Sequence, residues 1–486
     1  MQLIRQLVRR AGSMAGIVAP HWPVIISLHD NAQDNRETGG KTSQLEHSRN
    51  SGVVGFPGTT TVIAEDGSVN HFMQPNTKAT QSHGFRQGTG NGPPTTGGAL
   101  PEFAIAGKIN GSSRYRRMSR VKHNTGFGLR SSRPPDQQHS MSDCLRELRQ
   151  SNDVQRDTAE LQRRLEEDGY LFLRGLLDRE QLLSLRRQML TLMQAGGWLV
   201  QGTDPVDGIA NPDARSTEGD TAYTDVYHQV YRLQAFHEIA HSRGLIGVLE
   251  RIRGCTMMPQ PQNVARLWFP KFTEHTTPIH QDFVHFQGTH DNLTCWSPIG
   301  DCPRELGGLA VIPGSHKVDR VLEHHFSLGA GSLHVDPAKH SDVHDEWHTT
   351  DYKVGDTLIF PALTIHKALP NLSENRLRVS LDNRYQRIGD PIAEHMLNPH
   401  LGSMSPLTWD DVYENWDSDE FQYYWMKHNN PILPKITEYL DKAFDEAVEM
   451  TRNGDQKAQL HLRRIAIRDP SSDQGQVALK VLSTVK

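Results

Sequence analysis

Three His-x-Asp triplets stand in this chain, at His280/Asp282, His334/Asp336 and His340/Asp342. An imidazole and a carboxylate two residues apart on an extended segment project to one face, because a strand alternates sides with period two. A third donor from a distant strand would complete a two-histidine, one-carboxylate face, which holds iron(II) and leaves coordination positions open. His366, in Pro361-Ala362-Leu363-Thr364-Ile365-His366, is the candidate for that donor. In a chain with 26 histidines, about one or two such triplets arise by chance, so spacing alone selects none of them. Context does. Leu267-Trp268-Phe269 precedes the first triplet and Phe283-Val284-His285-Phe286 continues it, so a strand is expected there. The other two lie in a polar, proline-broken stretch from Leu333 to Asp342 that reads as a loop.

The elements that would position these residues follow from pattern. Leu145 to Leu165 is charged and helix-prone, and Asp168-Gly169 turns it into a short strand, Tyr170 to Leu173. Leu176 to Met193 reads as an amphipathic helix with Leu182, Leu185, Met189 and Leu192 on one side. From Val264 to Arg384, short strand-like runs alternate with turns such as Gly307-Gly308 and Pro313-Gly314-Ser315, the rhythm of an antiparallel jelly roll. Leu377 to Tyr385 places Arg376, Arg378, Ser380 and Asp382 on one side of a strand. A cation facing a β core is costly unless it meets an anion. An arginine fork beside a hydroxyl suits bidentate capture of a carboxylate. The expected fold is mainly β with flanking helices: a double-stranded β-helix of jelly-roll, cupin-like form over 141–400. A helical C-terminal extension over 401–486 ends in the pattern Ala443/Ala447 and Ala458/Leu462/Ile465.

Composition sets the outer limits. Hydrophobic content is 36%, low for a wholly globular chain, and residues 1–140 are rich in Gly, Ser, Thr, Asn and Gln without a sustained period. Such segments bury too little surface to offset chain entropy, so a disordered N-terminal region is expected. That region carries 16 Lys/Arg against 8 Asp/Glu in a chain of net charge −5, which leaves an acidic body and argues against nucleic acid as substrate. Cys144, Cys255, Cys295 and Cys302 form no C-x-x-C pair and fit a reduced, cytoplasmic setting. No apolar run is long enough for a membrane span. Arg5, Arg9 and Arg10 among Leu3, Ile4, Leu7 and Val8 suit either a mitochondrial import helix or, preferably, an ordinary basic terminus.

Several motifs then occur in a fixed order: His280-Gln281-Asp282, Gly307-Gly308 leading to Pro313-Gly314-Ser315-His316, Gly355-Asp356 leading to Phe360, His366, and Arg378-x-Ser380. Together they resemble the phytanoyl-CoA dioxygenase family of iron(II)- and 2-oxoglutarate-dependent oxygenases, from Asp168 to Tyr385. The resemblance implies that His280, Asp282 and His366 hold Fe(II). It implies that an arginine after the distal histidine binds the 2-oxoglutarate carboxylate. Counting back from Tyr385 selects Arg378, with Ser380 beside it, and Arg376 stays as the alternative. Trp296 matches a tryptophan that the family often places beside the cosubstrate, although a buried Trp is more commonly plain core. The implied activity is hydroxylation of a small organic molecule by dioxygen, with release of succinate and carbon dioxide. Halogenating relatives lack the carboxylate, so Asp282 favours hydroxylation. A metal-free, partner-binding member of the same fold is the alternative. His316 is expected to be a turn histidine, and His340, His344 and His348 a solvated insertion rather than a zinc face.

Overall fold

Two sheets face each other in the computed structural model, which describes residues 145–485 apart from 345 and 403–405, together with three short strands nearer the N-terminus. In chain order the first elements are β1 (Leu145–Glu147), α1 (Thr158–Asp168), β2 (Leu171–Leu173), α2 (Arg179–Ala195), α3 (Thr221–Tyr231) and α4 (Arg243–Arg253). The strands that follow are β3 (Met257–Pro259), β4 (Val264–Trp268), β5 (Leu293–Pro298), β6 (Leu309–Val311), β7 (Trp347–Thr349), β8 (Thr357–Pro361), β9 (His366–Ala368) and β10 (Arg378–Arg387). Helices α5 (Glu438–Arg452), α6 (Gln456–Arg468) and α7 (Asp473–Thr484) close the chain.

The larger sheet runs β2-β8-β5-β10-β3, with β4 also paired to β10. The smaller runs β9-β6-β7-β1, antiparallel except for the β1–β7 pair. This is the double-stranded β-helix expected from the rhythm of strands and turns. Residues 145–165 depart from expectation, because they do not form one helix. Leu145–Glu147 is a strand, taken up as a parallel edge by Trp347–Thr349, and α1 starts only at Thr158. Asp157 caps that helix by accepting from the Glu160 N–H at 3.0 Å. Gly169 ends it at φ +68, a left-handed conformation that glycine adopts without a Cβ penalty.

Period-two alternation gives each face of the larger sheet its own task. Leu171, Leu173, Cys295, Ile359, Val379, Leu381 and Tyr385 point outward into one core shared with α2, α3 and α4. Phe172, Trp296, Leu358 and Phe360 point inward and meet Leu309, Val311 and Ala368 of the smaller sheet. That apolar plug fills one part of the interior, and the polar inward residues Thr294, Arg378, Ser380 and Arg384 are also buried. Trp409, Tyr413 and Trp425 pack into the outer core as well.

Helices α5 to α7 bury Ala443, Ala447, Ala458, Leu462 and Ile465 as the pattern predicts, but they also bury Val284, Phe326 and Leu333 of the β domain. The joint is fixed by Gln287. Its side chain donates to the Ile436 carbonyl at 2.8 Å and accepts from the Ile436 N–H at 2.7 Å. Gln287 holds φ +53, unfavourable for a residue with a Cβ, and this double bond helps hold it there.

Inside the N-terminal region, Val53–Phe56, Thr59–Ile63 and Val69–Met73 pair as an antiparallel meander. The remainder of residues 1–140, with the basic N-terminal segment and the Arg114–Arg120 cluster, lies outside the described residues, as does Cys144. No described helix is long and apolar enough to cross a membrane. Gln287→Ala leaves the Ile436 N–H and C=O without their partner, so stability should fall by about 2 kcal/mol. Urea unfolding measures this, and a loss below about 0.5 kcal/mol would show that water replaces the clamp.

Candidate active site

The backbone itself brings His280 and His366 together. Each donates its N–H to the other's carbonyl at 3.0 Å, an isolated antiparallel bridge beside β9. Their rings lie 4.2 Å apart between centroids. Nδ1 of His280 lies 2.8 Å from the Pro278 carbonyl, and Nδ1 of His366 lies 3.0 Å from the Thr364 carbonyl. A carbonyl only accepts, so each neutral ring carries its proton on Nδ1 and presents the Nε2 lone pair. Both Nε2 atoms face one oxygen, Asp282 Oδ1, at 3.3 Å from His280 and 3.5 Å from His366.

Asp282 reaches that point by a different route from the one the spacing suggests. It does not lie on a strand. Its backbone is helical, at φ −63 and ψ −28, and opens the short helical turn Phe283–Phe286. The same-face argument therefore fails for residues 280–282, and the turn aims the carboxylate instead. Gln281 locks the turn in place, donating to the Leu363 and Arg320 carbonyls at 2.9 and 3.1 Å and accepting from the Leu322 N–H at 2.7 Å.

Around Asp282 the charge is balanced by a residue that the sequence reading passed over. Arg384 Nη2 approaches Asp282 Oδ1 at 3.3 Å and Oδ2 at 3.2 Å, and also Asp382 Oδ2 at 3.0 Å. Its guanidinium lies 3.5 Å above the Phe286 ring centroid, a cation–π contact. Thr294 Oγ1 donates to Oδ2. Burial alone would raise the Asp282 carboxyl, but Arg384, His366 and His280 outweigh it and hold it well below the usual carboxylate range. Burial, reinforced by His280, pushes His366 down to about 3, so at neutral pH its ring is uncharged. Nitrogen lone pairs and an ionised oxygen thus converge with their donor atoms within 4.8 Å of one another. That crowding of electron density is stable around a cation, and the donor set suits iron(II). The carbonyls on Nδ1 and the Thr294 hydroxyl orient the donors in the way metal sites require. Among the described residues this is the only such cluster of His, Cys, Asp and Glu.

Arg378 lies on the same inward face of β10. Its guanidinium is 1% exposed, donates from Nη1 to Ser380 Oγ at 3.0 Å, and has no hydrogen-bond partner at Nε. Among the described residues it forms no ion pair with a carboxylate, and burial pushes its pKa down to about 10. Its Cζ lies 5.5 Å from the Trp268 ring centroid and 5.9 Å from that of Trp296. The indole Nε1 of Trp296 is also buried without a partner. Arg376 is separated from this group, because it precedes β10 and its side chain is exposed.

The other histidines go elsewhere. His316 sits against Gly169 at the turn, where a Cβ on Gly169 would lie 2.3 Å from its Nδ1. His348 is on β7, with Nδ1 2.9 Å from the Tyr170 hydroxyl. His340 follows a single 3-10 turn, so no helix aligns it with His344 and His348. His334 forms a two-residue ladder with His325–Phe326 rather than a loop.

A metal-type donor triad inside a double-stranded β-helix is the setting in which the sequence comparisons fall. Residues 165–379 match the family model described as Phytanoyl-CoA dioxygenase (PhyH). This segment, less than half of the chain, is similar to that family of oxygenases. Two relatives from Streptomyces, each named 1-deoxypentalenic acid 11-beta-hydroxylase, are similar over 255 residues, 51% of this chain and 87% of theirs. The S. arenae protein is 27% identical and the S. exfoliatus protein 28%. Among solved structures, the epimerase SnoN in complex with Fe3+, alpha ketoglutarate and nogalamycin RO is 18% identical, with a TM-score of 0.33. That match covers 48% of this chain and 84% of SnoN.

Thr294→Val removes the donor to Asp282 Oδ2 without changing volume or charge. Affinity for a divalent ion should fall about tenfold, as read by anaerobic cobalt(II) titration. Unchanged affinity would mean that Arg384 alone orients the carboxylate.

Proposed function

We propose that the protein is an Fe(II)- and 2-oxoglutarate-dependent dioxygenase that hydroxylates a small organic molecule, releasing succinate and carbon dioxide. His280, Asp282 and His366 would hold the iron. Arg378, with Ser380, would hold the far carboxylate of 2-oxoglutarate, and Trp296 would form a wall of that subsite. The observation that carries this reading is the state of Arg378: a buried guanidinium that, among the described residues, has no carboxylate ion pair. A buried cation of this kind is costly until an anion reaches it. A dicarboxylate chelated next to His280 and His366 brings one. The two hydroxylase relatives support hydroxylation as the outcome.

Iron and 2-oxoglutarate, when bound, supply the oxidising power for a C–H bond through dioxygen-driven decarboxylation. The chain's own contribution is position and exclusion. The Nδ1 bonds of His280 and His366 keep both Nε2 lone pairs on one point, so no ring rotation is needed before binding. Asp282 offers Oδ1 to that point while Thr294 retains Oδ2, which leaves the open side for small ligands. Leu358 and Phe360 line the dry end of the interior and keep bulk water from it.

Anaerobic addition of iron(II) and 2-oxoglutarate should give the weak visible charge-transfer band of a bidentate 2-oxo acid complex. No band, with no succinate formed in air, would overturn the proposal. His280→Ala and Asp282→Ala should abolish succinate formation, whereas His334→Ala and His340→Ala should leave it largely intact. Arg378→Lys loses the forked donor geometry and should raise the KM for 2-oxoglutarate about tenfold or more, with a smaller effect on kcat.

A further inference from the structure

An inner pocket of about 140 Å³ touches His280 and is lined also by Thr277, Phe286, His285 and Gly331. A larger cavity of about 470 Å³ shares His285, Gly331, Glu218 and His400 with it, so the two form one passage from the surface to the donor triad. Family-matched residues such as Gln262 and Leu328 to Ser332 line one side of the outer cavity, and the other side comes from the C-terminal region. Phe444 of α5 and His461, Arg464, Ile465 and Arg468 of α6 belong to that second side, together with Lys435 just before α5. All of these lie beyond residue 379, where the family match ends.

The charges along this wall are unequal. Glu218, the single carboxylate lining the cavity, is bound to Arg266 at 2.5 Å. Arg464 is bound to Asp220 at 3.0 Å. Lys435 and Arg468 line the same cavity and form no ion pair among the described residues. Arg464 and Arg468 fall four apart on one face of α6. Burial, with Arg468 and Arg464 nearby, pushes His461 down to about 4, and burial pushes His285 and His400 well below the ordinary range. His400 and His461 therefore add no positive charge at pH 7, and the unpaired cations of the mouth are Lys435 and Arg468. Deeper in, His285 Nε2 is buried without a hydrogen-bond partner, where the outer and inner spaces meet. In a chain of net charge −5, a cationic mouth above an apolar wall is a local device that selects for charge.

We propose that this passage seats the substrate and that the substrate is a small carboxylic acid with an apolar body. Its carboxylate is held at the mouth by Lys435 and Arg468, and its body runs past Phe444 and Ile465 toward His280. This assignment rests on the oxygenase reading of the donor triad and adds the substrate class to it. The volume is within the range of small-molecule sites, roughly 300–1,000 Å³. The C-terminal helices thereby become part of the binding site, and His285 offers a polar contact near the reacting end.

The test is calorimetric binding of matched pairs to the full chain: dodecanoic acid against methyl dodecanoate, and dehydroabietic acid against its methyl ester. At least one acid should bind about tenfold or more tightly than its ester, and Lys435→Ala/Arg468→Ala should erase that preference. Lys435→Glu/Arg468→Glu should instead favour dodecylamine. Circular dichroism checks that each variant keeps its fold. Equal binding of acid and ester by the wild-type chain in both pairs, weak or tight, overturns the assignment. So does a preference that survives the double alanine substitution in a folded protein. Succinate release without added substrate separates the two readings. Its absence in the wild type removes the oxygenase proposal, whereas its presence beside indifference to the carboxylate removes only the substrate class.

Discussion

A single buried carboxylate sets the terms for the rest of this structure. Asp282 is 1% exposed, inside a barrel whose other part is apolar. An ionised group in that position is tolerable only if its charge is met on several sides. Arg384 meets it from β10, Thr294 from β5, and the two imidazoles complete the enclosure. Each partner is delivered by a different strand or bridge, so the geometry at one oxygen depends on the register of the larger sheet and on the pairing of residue 280 with residue 366. Arg384 in turn is held by Asp382 and stacked on Phe286, part of the turn that carries Asp282. Ligand, counter-charge and turn support one another in a closed loop.

The same sheet separates two kinds of buried arginine. Both leave Nε without a partner, but Arg384 is ion-paired to two carboxylates, whereas Arg378, six residues earlier on the same face, meets a hydroxyl and two indole faces. Equal burial with unequal pairing is what distinguishes a structural cation from one that awaits a ligand. Trp268 and Trp296 soften the second case, because aromatic faces favour a nearby guanidinium by about 0.5–2 kcal/mol without neutralising it.

Much of this was readable from residue types, and what was not has physical reasons. His280, Asp282 and His366 stood out by chemistry and order, and the structure gathers all three. The expected reason for the gathering was wrong, because Asp282 sits on a helical turn that Gln281 fastens to distant loops at Arg320, Leu322 and Leu363, and no local periodicity records such contacts. Arg384 was within reach, since it continues the period-two series of Arg378, Ser380 and Asp382. The strand of ten residues carries that series through to Arg384. The helical pattern near the C-terminus was visible, but its packing on Val284 joins residues far apart in sequence. Amphipathicity tells that a helix has a partner and not which one.

The clamp between Gln287 and Ile436 has a thermodynamic corollary. The turn that begins at Asp282 ends at Gln287, so the segment whose aspartate faces the metal-type cluster also presents the acceptor and donor on which the C-terminal helices are hung. Whatever tightens one end of this turn narrows the conformations open to the other. By reciprocity, an ion held at Asp282 would shield the amide hydrogens of α5 from exchange, and loosening α5 would weaken the hold on the ion by the same free energy.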